Sequence, residues 1–124
     1  MKKDTMKKDT EVNMMHGAGG EVMGELLVTL TAFKHNNAGG IGLESLDDGS
    51  TFEIGGKTVV LTTDSHVVKP IFFPGGDIGR VAVSGTINDL SVMGARPVAL
   101  TCAMLIEEGF PIADLEKIVA SMDE

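Results

Sequence analysis

Asp64, Asn88 and Asp89 are the residues whose types and positions call for chemistry. Asp64 follows the run Thr58 to Thr63, rich in β-branched residues, so it sits where a buried strand surfaces. Asp89 falls on a helix expected to begin near Asp77. Taking about 100° per residue from Ile78, Val81, Ala82, Val83, Ile87, Leu90, Val92 and Met93 form a wide apolar arc. Arg80, Ser84, Asn88 and Ser91 form the narrow polar stripe. Asp89 lies inside the apolar arc, where an unpaired carboxylate is expensive, so it should meet a cation, a metal or strong donors. Asn88 can add an amide ligand beside it. The competing reading is a buried, hydrogen-bonded acid that caps neighbouring backbone, and the functional reading is preferred to it.

Other motifs carry weaker signals. Adjacent carboxylates in Asp47-Asp48-Gly49 could offer hard oxygen ligands to a divalent ion, but alone the motif favours turn chemistry. His16-Gly17-Ala18-Gly19-Gly20 precedes a helix and could let backbone N–H groups approach a phosphate. It has no Lys-Ser/Thr ending, so on spacing alone a linker is the better reading. Phe72-Phe73-Pro74-Gly75-Gly76-Asp77 reads either as a shaped loop beside a site, with Asp77 capping the helix, or as core packing. His66 has no cysteine or second histidine at metal spacing, which speaks against zinc. Cys102 is expected to be an inert core thiol.

These residues must be held by one modest domain. The chain has 124 residues, 43% of them hydrophobic, with no apolar run long enough for a membrane span. A single cysteine excludes an internal disulfide and fits a reducing cytoplasm. A net charge of −8, with no Trp or Tyr, argues against a general nucleic-acid surface or a stacking platform. A nucleotide remains compatible, because metal ions bridge phosphates to carboxylates. Residues 1–14, which open with a tandem Met-Lys-Lys-Asp-Thr repeat, read as a disordered polar tail, and residues 15–124 as the domain.

Along that domain, Val22, Met23, Leu26, Leu27, Leu30 and Phe33 predict a helix ending near His35. Leu43 to Leu46 suggests a short strand. Gly55-Gly56 between Thr51–Ile54 and Lys57–Thr63 predicts a tight hairpin. Pro70 and Pro74 should hold an extended loop, followed by the helix from about Asp77 to Met93, stopped by Gly94 and Pro97. Val98 to Ile106 reads as a strand buried on both faces, and Pro111 opens a last helix. The order predicts an α+β fold, a mixed or antiparallel sheet with helices on one face and the other face free for a partner.

Together, His16 to Gly20, Leu46-Asp47-Asp48-Gly49, Thr62-Thr63-Asp64-Ser65, Phe72 to Gly79, Gly85-Thr86-Ile87-Asn88-Asp89-Leu90 and Glu107 to Pro111 resemble one family. It is the hydrogenase expression/formation family HypE, within the aminoimidazole ribonucleotide (AIR) synthetase, or PurM-like, superfamily. The resemblance runs from about Met15 to the end, and the family's most specific run is matched here as Pro70-Ile71-Phe72-Phe73-Pro74-Gly75-Gly76-Asp77-Ile78-Gly79, departing only at Ile71. The resemblance implies ATP-dependent dehydration of a carboxamide on the family's C-terminal cysteine, giving a thiocyanate for the cyanide ligand of [NiFe]-hydrogenase. It also implies a homodimer whose two sheets close into a barrel, and as partners a HypF-type carbamoyltransferase and the HypC–HypD scaffold complex.

Carried over by motif, Gly17, Gly19, Gly20, Asp47, Asp48, Asp64, Asn88 and Asp89 would contact ATP, and Asp48, Asp64 and Asp89 would ligate Mg²⁺. The family's Gly-Asp-Thr-Lys motif, second domain and terminal cysteine find no match before Glu124, so this stretch alone is expected not to complete the reaction. The rival expectations are a non-catalytic dimerisation and docking module, or an AIR synthetase, selenophosphate synthetase or thiamine-monophosphate kinase type of enzyme.

Overall fold

A computed structural model describes residues 11–124. The part of the predicted tail before Glu11 lies outside the described residues. Backbone contacts divide the chain into two units that meet at Asn36 and Asn37.

In the first unit, a 3₁₀ turn spans Met14–Gly17. Asn13 caps it: the side chain accepts from the Met15 N–H at 2.9 Å, and the Asn13 N–H donates to His16 Nδ1 at 3.1 Å. Helix α1 follows, Gly20–Leu30, entered through Gly19 at φ 83°. That backbone conformation suits glycine and few other residues. The helix stops short of His35. The Thr31 amide and hydroxyl both donate to the Leu27 carbonyl, at 2.8 and 2.7 Å, and the Phe33 N–H folds back onto the Thr31 carbonyl. The Phe33 ring is exposed and offers no packing to draw the helix onward.

In the second unit, Leu43–Ser45 forms a 3₁₀ turn where a strand was expected. No neighbouring strand pairs with so short a segment, and its amides close locally, Ser45 onto the Gly42 carbonyl and Leu46 onto that of Leu43. Leu46 then takes the left-handed conformation, φ 53°, and turns the chain into Asp47-Asp48.

Strands β1, Ser50–Ile54, and β2, Lys57–Leu61, form the predicted antiparallel hairpin, with Ile54 opposite Lys57. Gly55 and Gly56 both have positive φ, as the tight turn requires. β2 ends two residues early because Ser50, its last partner, is where β1 begins, and the Thr62 hydroxyl turns to the Asp48 carbonyl.

The proline-rich loop holds a second hairpin that the sequence did not announce. β3, Phe72–Phe73, pairs with β4, Gly76–Asp77, across Pro74-Gly75, a proline–glycine turn with Gly75 at φ 95°. It delivers Asp77 to the start of helix α2, Ile78–Val92. Gly94, at φ 71°, and the Ala95 amide, donating to the Leu90 carbonyl, close the far end, as predicted. Helix α3, Ile112–Met122, packs on α2 so closely that a Cβ at Gly79 would collide with the Ile118 carbonyl. Leu90 and Ile118 are the buried apolar residues among those described.

Two expectations are corrected here. The described residues contain two separate two-stranded antiparallel sheets rather than one wider sheet. The run Val98–Ile106 forms no strand, and every residue in it is exposed, with Val98 at 94% and Leu105 at 106%. A strand buried on both faces needs a ladder on its edges and cover on each side, and no described strand pairs with this run. Cys102 is therefore an exposed thiol rather than a core one. No helix among the described residues is long and apolar enough to cross a membrane.

Candidate functional site

The extended segment after β2 lies along one face of α2. Period-two geometry puts Thr62, Asp64 and His66 on the same side of that segment. Helical geometry puts Gly85 and Asp89, four residues apart, on one side of α2. The two sets meet. The Thr62 hydroxyl lies 3.1 Å from Asp89 Oδ2 and 2.7 Å from the Asp48 carbonyl. One turn away, His66 Nε2 sits 3.2 Å from Asp64 Oδ2, and both side chains rest over Gly85. A Cβ at Gly85 would stand 2.6 Å from His66 Nε2 and 3.4 Å from Asp64 Oδ2. Sequence reasoning assigned no role to Thr62, His66 or Gly85. The signal available was the alternation of 62, 64 and 66 on an extended strand.

The electrostatics of this face are open. A hydroxyl carries one proton, so Thr62 must divide it between the Asp48 carbonyl and the Asp89 carboxylate. Asp89 has no other hydrogen-bond donor among the described residues. Asp64 Oδ1 accepts the Ser65 amide at 2.7 Å, and its Oδ2 lies within ion-pair distance of His66 Nε2. Asp89 is half-buried, as the helical wheel required, and its carboxylate has one donor among the described residues, with its remaining acceptor capacity open to solvent. Asp47 and Asp48 are exposed on their turn, and Asp48 joins the cluster through its carbonyl.

Within the second unit, Asn88 lies away from this face. Asn88 is exposed on α2 about a quarter-turn from Asp89, and lines a groove between α2 and the end of α3 with Arg80, Ser84, Ser121 and Glu124. Arg80 and Glu124 pair there at 3.1 Å. Gly17, Gly19 and Gly20 belong to the first unit, as the end of the 3₁₀ turn and the entry to α1.

Asp77 shows a better-supplied carboxylate in the same molecule. It is buried, with one oxygen accepting from Ser121 Oγ at 2.6 Å, the Gly79 amide at 2.8 Å and the Arg80 amide at 3.1 Å. These donors hold its carboxyl below the ordinary carboxylate value of 3.8: the Ser121 hydroxyl most strongly, then the two amides, helped by the Arg80 charge and opposed by burial.

Among the described residues, no set of three or more His, Cys, Asp or Glu side chains is gathered closely enough to cage a metal ion. Mg²⁺ is commonly held by one or two carboxylates plus the phosphates of a nucleotide, not by an all-protein cage. The all-oxygen donors here, Asp64, Asp89 and the Asp48 turn, have the right hardness for it.

Comparison with known proteins identifies the domain that carries these residues. Residues 46–124 match the model of the AIR synthase related protein, N-terminal domain. The chain is 60% identical over 117 residues to a putative hydrogenase expression/formation protein of Methanocaldococcus jannaschii, covering 92% of this chain and 35% of that one. It is 49% identical over 115 residues to the carbamoyl dehydratase HypE of Azotobacter vinelandii, covering 93% and 33%. With the Escherichia coli carbamoyl dehydratase HypE it shares 36% over 118 residues, covering 91% and 34%. The chain spans about a third of the length of these relatives. On the strength of the domain match, the chain belongs to the AIR synthase related protein family.

Proposed function

We propose that this chain is the nucleotide-binding portion of a HypE-type hydrogenase maturation protein, holding Mg-ATP where Asp64 of the extended segment lies along the α2 face that carries Asp89. The observation that carries the reading is the half-buried Asp89, whose one donor among the described residues is a hydroxyl shared with a backbone carbonyl. Such a carboxylate is well served by a cation. The names of the relatives supply the reaction class, since several are carbamoyl dehydratases.

The reaction would begin with attack of a carboxamide oxygen on the γ-phosphorus of ATP, releasing ADP and, with loss of one N–H proton, leaving an imidate phosphate. Loss of the second N–H proton and cleavage of the C–O bond would expel phosphate and leave the C≡N triple bond. In this proposal Asp64 and Asp89 hold Mg²⁺, which neutralises charge on the phosphates. The residues of this chain position the nucleotide, while the carboxamide is presented on a cysteine of another part of the protein.

The proposal includes a homodimer. A two-stranded hairpin alone is marginal in water, and the exposed apolar run Val98–Ile106 supplies a backbone able to extend a sheet with a second copy. Thermal melting tests the nucleotide site. Mg²⁺ and ATP added together should raise the melting temperature, by mass action, more than either alone. No shift at millimolar Mg-ATP would overturn the reading. Sedimentation at equilibrium tests the dimer, and a strictly monomeric chain at high concentration would count against it.

A further inference from the structure

His66 is the one imidazole that lies within ion-pair distance of a candidate ligand, and the site described above does not use it as a ligand. Its side chain is only 17% exposed, while that of Asp64 is 36% exposed. The ring is therefore pinned between the extended segment and α2, with the more open carboxylate beside it. The floor of that slot is Gly85. A methyl there would press on the imidazole before it reached the carboxylate, at 2.6 against 3.4 Å.

We propose that His66 is a positioning residue: seated in the slot left by Gly85, it holds the Asp64 carboxylate on the α2 face that carries Asp89. The role rests on the proposed Mg-ATP site, since it explains how two carboxylates from different elements are aimed at one ion. A carboxylate anchored only by its own neighbouring amide would keep free rotation about its side-chain bonds. Contact with Nε2 fixes Oδ2 while the Ser65 amide holds Oδ1, and each oxygen keeps a further lone pair for a cation. Outer contacts of this kind set ligand orientation, and their loss commonly weakens metal binding by about 10–100-fold.

The test has two arms. In the first, ¹⁵N NMR of the metal-free chain in mildly alkaline buffer reads which nitrogen of the neutral His66 ring carries the proton. A carboxylate beside Nε2 favours the Nε2–H tautomer, and Asp64→Asn should weaken that preference. A dominant Nδ1–H form, or no response to Asp64→Asn, would overturn the pairing. In the second, calorimetry with Mg-ATP compares variants. His66→Ala should bind at least about tenfold more weakly, and His66→Gln, whose amide can donate from a similar place, should recover most of that loss. Gly85→Ala should weaken binding like His66→Ala although alanine is the better helix former, so damage to α2 could not explain the loss. Wild-type-like affinity in both His66→Ala and Gly85→Ala would overturn the role. If the wild-type chain itself gives no Mg-ATP signal, the nucleotide reading fails, and the tautomer arm still decides the pairing.

Discussion

Asp77 and Asp89 sit at opposite ends of the same helix, and their surroundings differ in kind. Asp77 is buried and accepts from two amides and from a serine hydroxyl that also faces the Ile118 carbonyl. Asp89 is half-buried and shares one hydroxyl with a carbonyl. A carboxylate with its donors in place locks structure, here the joint between α2 and α3. A carboxylate short of donors keeps the capacity to bind something else. On the proposed reading, the donor inventory rather than burial distinguishes the two acids, since the more buried of them is the structural one.

Mutations can break this contrast from either side. The largest effect is expected from Gly79→Ala, which forces a Cβ against the Ile118 carbonyl and within 2.7 Å of Ser121 Oγ. Overpacking of this kind should destabilise the second unit by about 3 kcal/mol, read by urea unfolding. Asp77→Ala removes the cap and leaves the Ser121 hydroxyl only the Ile118 carbonyl, and should lower stability by about 2 kcal/mol.

The acid limb of stability tests the same residue. Because its folded pKa lies below the ordinary 3.8, Asp77 contributes stability that is present above that value and lost as pH falls through the folded value. Asp77→Asn should therefore blunt the loss of stability below about pH 4. An unchanged acid limb would mean that Asp77 is not the acid holding this joint. The smallest effect on stability belongs to Asp89→Asn, which should stay within about 0.5 kcal/mol of wild type, because the native carboxylate forfeits only half a donor. A large destabilisation there would make Asp89 a second structural acid and erase the contrast.

Much of the fold was legible because its signals are local. The glycine pair at 55 and 56, Asp77 as a cap and Gly94 as a stop each act through the backbone of their own neighbourhood. Asp89 inside an apolar arc was legible for the same reason. The sequence misled where an element depends on partners far along the chain. Val98–Ile106 has a strand's composition, but composition does not supply the ladder that makes a strand. Asn88 adjoins Asp89 in sequence, yet a step of one residue on a helix turns it toward the groove beside α3. His66 was set aside because it lacked metal-site spacing, and its contact with Asp64 over Gly85 appears only when the segment lies on α2.

The central claim is that Asp89 serves a ligand and Asp77 serves the fold. Its most direct test is a calorimetric titration of the chain with Mg-ATP, run on the wild type and on Asp89→Asn, with urea unfolding of both. The account predicts saturable binding in the wild type, loss of at least about tenfold in affinity in Asp89→Asn, and nearly equal unfolding curves. Equal affinity in the two proteins, or a variant that fails to bind because it has unfolded, would contradict it.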